Sequence, residues 1–173
     1  NFIIYSYNFL YSIPWVFAKS KKGVENNFAH TQKNIIVLPY NFMTNSRKSL
    51  IKTIIHEKVH IYQKYNMIST VSLFMNYWGL LLYDYKKHEN QRANPDINHM
   101  NFTYYDPLVN SYVTLHTQYT NNAKSLYDSV LTKRQVKHSS NEKSLIYYSL
   151  LQNNSYQKEH PNELMACLIA DMI

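Results

Sequence analysis

The sequence predicts an α+β fold, mainly α-helical, in a single domain spanning residues 1–173, with a small β-sheet preceding a long helix. Three observations carry this reading. Glycine occurs only 2 times, too rarely for the tight primed turns of an all-β fold. The run NIIVLPY, residues 34–40, is short, β-branched and closed by Pro39, as a strand of a small sheet would be. After it, Ile51, Ile54, Ile55, Val59 and Tyr62 recur at helical spacing, which predicts an amphipathic helix over residues 46–65. A chain of 173 residues with 45% hydrophobic content can bury one core and is short for two.

The remaining elements follow in order. Thr44, Asn45 and Ser46 each offer a side-chain oxygen to cap the start of that helix. The apolar run over residues 67–83 is broken by Ser69, Thr70, Ser72, Asn76 and Gly79. It falls short of the roughly 20 uninterrupted residues of a membrane span and reads as a core helix. Asn94-Pro95-Asp96 reads as a turn, and SYVTLHTQY, residues 111–119, alternates like a strand. Residues 133–143, KRQVKHSSNEK, form the expected flexible stretch. The closing run from Leu164 to Ile173 is apolar on all sides after a Pro161-Asn162 start, which predicts a buried helix.

Composition limits the classes of function. The chain has 18 Lys and Arg against 11 Asp and Glu, a net charge of +7, so nucleic acid or anionic surfaces are permitted partners. Yet Lys19, Lys21, Lys22 and the run Lys133-Arg134…Lys137 form no arginine cluster, and they read as solvated surface. Cys167 is the sole cysteine, which excludes an internal disulfide and any site built from several thiolates, so a metal would need His and carboxylate. The 17 tyrosines, with abundant Asn, Ile and Lys, fit an AT-rich genome of the kind carried by large DNA viruses and parasites. The opening NFIIYSYNFLYSIPW lacks an initiator Met, a basic n-region and a small-residue cleavage site. It is not read as a signal peptide, and the expectation is a soluble chain, intracellular or virion-associated, that could be a fragment of a longer one.

The chemistry concentrates in His56-Glu57-Lys58-Val59-His60, an H-E-x-x-H pattern in the middle of the predicted helix. Residues four apart stack on one helix face, so His56 and His60 can each turn an imidazole nitrogen toward one zinc ion. Glu57 sits one position round, near the ion without needing to bind it. Zinc brings the pKa of water toward neutrality, and a neighbouring carboxylate can take the proton as water attacks a carbonyl. The alternative is a chance match, with Glu57 paired to a lysine and two ordinary half-buried histidines. The strand ahead of the helix, the cap and the flanking apolar stripe favour the metal.

The HEKVH motif after the strand IIVLP resembles the zincin superfamily of metallopeptidases over residues 34–65. The resemblance implies Zn2+ held by His56 and His60, Glu57 as general base, a third protein ligand further along, and a peptide or protein substrate. Gln63 and Asn66 stand where the metzincin branch requires Gly and His, which excludes that branch. The gluzincin branch draws its third ligand from a Glu on a later helix. Glu163 and Asp171 are the only charges on the predicted closing helix, and a buried carboxylate is costly unless paired or bound to a metal.

Glu163 is therefore the expected third ligand, with Glu159 and Asp171 as fallbacks and an N-terminal helix-dipole role as its alternative. Many gluzincins place an Asp four residues after that Glu to orient a motif histidine. Here the position is Cys167, so the outer partners must be built differently or be missing. His160 reads as a surface residue. Candidate oxyanion donors are Arg92, Tyr104, Tyr105, His116 and Tyr119, while His30, His88, His99 and His138 remain unassigned.

The leading functional expectation is zinc-dependent hydrolysis of a peptide bond. The rival is a non-enzymatic structural or interaction protein, such as a particle component, that retains the fold. Intact Glu57 favours the enzyme, because a purely structural metal site has no need of a base. A third reading, a basic nucleic-acid-associated protein, would show salt-dependent association with DNA.

Overall fold

A computed structural model describes residues 11–83, 96, 103–106, 111–112, 117–122, 129–131 and 160–173. They form an α+β arrangement with three helices and a small mixed sheet. Contacts group the chain into two compact units, one of Asn1–Tyr65, Asn94–His99 and Met165–Ile173, the other of Asn66–Ala93 and Met100–Leu164.

In the first unit, β1 (Val16–Lys19), β2 (His30–Gln32) and β3 (Ile35–Leu38) make a sheet of order β1-β3-β2. β3 is the strand expected from NIIVLPY. It runs parallel to β1 and antiparallel to β2, with Ile36 facing Phe17 on one side and Thr31 on the other. Ile36 is fully buried and Val37 nearly so. Neighbouring residues point to opposite faces of a strand, so β3 is covered on both faces. The edge of β2 is occupied too: the N–H and hydroxyl of Thr31 both donate to Asp96 Oδ1 at 2.6 Å. Lys64 Nζ donates to the Thr31 carbonyl at 3.3 Å and to its hydroxyl oxygen.

The motif helix covers Arg47–Tyr65 and packs on β2 and β3. Of its three candidate caps, Ser46 serves: its Oγ accepts the Ser49 N–H at 3.3 Å. Thr44 and Asn45 instead bond back to the carbonyls of Asn41 and Phe42. The burial pattern differs from the expected apolar stripe. Ile51 is 39% exposed, whereas the consecutive residues Glu57, Lys58, Val59, His60 and Ile61 are all buried. The middle of the helix is therefore enclosed on every side, and its polar residues must find partners inside.

Lys58 shows how such enclosure is sustained. Its ammonium donates to the carbonyls of Ile13 and Pro14 and lies 4.6 Å from the Trp15 ring centroid, so it clasps the segment leading into β1. Burial pushes its pKa below the ordinary lysine value, so these contacts do not fully replace the lost water. Lys58→Ala should cost about 2–4 kcal/mol in urea unfolding, through lost packing and charge-assisted bonds. Lys58→Met should recover part of that loss, because it keeps the apolar stem. Equal stability of all three proteins would contradict the clasp.

In the second unit, the run read as one helix over residues 67–83 is divided. A helix covers Met67–Trp78 and ends at Gly79, whose φ of 67° is the left-handed conformation that closes helices. β4 (Leu81–Tyr83) follows it and joins β5 (Thr103–Asp106) and β6 (Ser111–Tyr112) in an antiparallel sheet. Thr70, Phe74 and Trp78 are the buried stripe of that helix, while Ile68 is 79% exposed, so it is covered on one face rather than throughout.

The run SYVTLHTQY is likewise split. Its start is β6, and its end is β7 (Thr117–Tyr119), which pairs with β8 (Ser129–Leu131) in a separate two-stranded sheet. Among the described residues no helix is long and apolar enough to cross a membrane. Lys19, Lys21 and Lys22 are exposed, as expected of a solvated run, and residues 133–143 lie outside the described residues.

The last helix, Pro161–Asp171, starts where Pro161 predicts. It is buried from Pro161 to Ala166 and again at Ala170, half-buried between them, and exposed from Asp171 on, so the expectation of burial throughout does not reach the end of the chain. His160, expected on the surface, is 3% exposed. Its Nδ1 accepts the Asn162 N–H at 3.1 Å, which gives one of the helix's free N-terminal donors a partner.

Candidate metal centre

Four-residue spacing brings the imidazoles of His56 and His60 together on the motif helix, with ring centroids 4.6 Å apart and planes at 79°. Their Nε2 atoms face each other at 3.0 Å. Two nitrogens bound tetrahedrally at ordinary zinc–nitrogen distances would lie about 3.4 Å apart, so the pair needs only a small spread to share an ion. The third member comes from the first turn of the last helix. His56, His60 and Glu163 each offer one ligand atom, and these atoms lie within 4.8 Å of one another.

The chemistry of this donor set suits a cation. His60 and Glu163 are buried, at 0% and 2% exposure, and His56 is half-buried. A carboxylate in such surroundings is expensive without a compensating charge, and two imidazoles with one carboxylate are a common set for a divalent metal with one position left open. The group is close enough to hold one metal ion. Glu57, 4% exposed, lies between the two histidines in sequence and is not a member of the group.

Each histidine has a further partner at its other ring nitrogen. Gln63 Oε1 lies 2.9 Å from His60 Nδ1, and Cys167 Sγ lies 3.8 Å from His56 Nδ1. Cys167, at the position where an orienting Asp was expected, thus stands behind His56. Gln63, noticed in the sequence only as a departure from a metzincin pattern, is a site residue that the sequence reading missed. The available signal was its spacing, since three residues along a helix place it beside His60.

One fallback ligand falls elsewhere. Asp171 is exposed and forms an ion pair with Lys52, and Glu159 lies outside the described residues. Of the oxyanion candidates, Arg92 and His116 lie outside the described residues. Tyr104, Tyr105 and Tyr119 fall on β5 and β7, where only the backbone is described. His30 is on β2 with its Nδ1 3.3 Å from the Phe28 carbonyl, and His88, His99 and His138 lie outside the described residues. Comparison with known proteins finds no family model, no curated protein and no solved structure that matches this chain.

Proposed function

We propose that this chain is a zinc-dependent hydrolase of peptide bonds, resembling the zincins, with His56, His60 and Glu163 as metal ligands and Glu57 as general base. One observation carries the reading: two histidines spaced for one ion and a carboxylate more than a hundred residues away in sequence meet in one largely buried group. Zinc, when bound, supplies Lewis acidity toward a carbonyl and lowers the pKa of water. His56 and His60 would hold the ion from one helix face, and Glu163 would supply the negative charge that a buried cation needs.

Glu57 accepts a proton as water oxygen bonds to the peptide carbonyl carbon. It then delivers that proton to the amine nitrogen as the C–N bond breaks, ending in the ionised state in which it began.

The test is to incubate wild type and His56→Ala with a mixed peptide library and read new termini by mass spectrometry. New termini from wild type alone support the peptidase. Their absence, with zinc bound, would favour a structural or interaction protein that keeps the metal.

A further inference from the structure

Gln63 and His60 are both fully buried, so the contact between them is made without competing water. The atom of Gln63 that faces His60 Nδ1, at 2.9 Å, is the amide oxygen Oε1. A carbonyl oxygen can only accept a hydrogen bond, so the imidazole proton must sit on Nδ1. In the neutral imidazole that choice leaves the lone pair on Nε2, the atom that faces His56 Nε2 at 3.0 Å. Rotating either side chain would break this buried bond, and the loss of a buried hydrogen bond opposes that rotation.

His56 is held differently. Its Nδ1 meets the Cys167 sulfur at 3.8 Å, and a thiol can donate weakly or accept weakly. In the neutral pair, with the lone pair on His60 Nε2 only 3.0 Å away, His56 Nε2 is the donor of that contact when no ion is present. His56 Nδ1 is then the acceptor of the Cys167 S–H. Presenting His56 Nε2 to an ion requires the reverse arrangement, with the proton on Nδ1 and sulfur accepting. The thiol tolerates both states.

We infer that Gln63 is a positioning residue that locks His60 in its Nδ1–H tautomer with Nε2 ready as a donor, while Cys167 leaves His56 free to exchange tautomers when an ion arrives. The inference concerns the same site and, for its consequence in metal affinity, rests on the metal-binding reading above. Its tautomer content stands without a metal. The two outer partners are therefore unequal, and Gln63 carries more of the preorganisation.

The experiment combines histidine side-chain ¹H–¹⁵N spectra of the metal-free protein with zinc affinity by competition against a chromophoric chelator. It compares wild type, Gln63→Leu, Gln63→Glu and Cys167→Ala. Wild-type His60 should be the Nδ1–H tautomer. Gln63→Leu should lose that preference and bind zinc roughly 10–100-fold more weakly. Gln63→Glu keeps an accepting oxygen and should restore both, and Cys167→Ala should weaken zinc binding less than Gln63→Leu does.

An Nε2–H tautomer for His60 in the wild type overturns the inference whatever the variants do, even if Gln63→Leu fails to fold. So does a Gln63→Leu protein with unchanged tautomer and affinity. A wild type that takes up no zinc removes the metal-binding reading, and the spectra alone then decide whether Gln63 sets His60.

Discussion

Glu57→Gln should keep its fold and its metal and lose peptide hydrolysis by a factor on the order of 10² to 10⁴. Glutamine matches glutamate in size and in helix propensity, so the motif helix has no reason to change. Glu57 is not in the group of His56, His60 and Glu163, so removing its charge leaves the ligand set complete. Initial rates on a cleaved library peptide, measured beside zinc content, separate the possibilities. Equal rates for wild type and variant would sink the proposed base, and loss of zinc from the variant would make Glu57 a ligand.

Glu163→Ala should weaken zinc binding by more than the roughly 10–100-fold that loss of an outer partner costs, because it removes a ligand atom. Asp171→Ala is the matched control on the same helix. Asp171 is exposed and paired with Lys52, an ion pair worth at most about 1 kcal/mol and remote from the ligand group in its bonding. Its variant should keep near-normal metal affinity. Competition titrations against a chelator read both. Zinc loss in Asp171→Ala with retention in Glu163→Ala would reverse the ligand assignment while leaving the histidine pair standing.

What was legible in the sequence was what local periodicity and cost arguments can reach. β3 and the motif helix follow from a β-branched run and a helical repeat, and His56 and His60 follow from four-residue spacing. Glu163 stood out because a charge at the head of an apolar helix needs a partner. The features missed depend on long-range contacts. Lys58 is fully buried because carbonyls some 45 residues earlier in the chain receive its ammonium, which no local pattern announces. β1 and β2 are 4 and 3 residues long and exist through pairing with β3, so their own sequences carry little alternation. The end of the middle helix was readable, since Gly79 is a natural helix terminator, but the apolar residues beyond it masked the stop.

His56, His60 and Glu163 are proposed to hold one metal ion. The most direct measurement is elemental analysis of the chain purified without chelators and offered zinc, beside His56→Ala treated identically. About one zinc per wild-type chain is expected, from the single four-coordinate site these donors can build, and little in the variant. A wild-type chain that stays metal-free, or a His56→Ala chain that retains the same zinc, would contradict it.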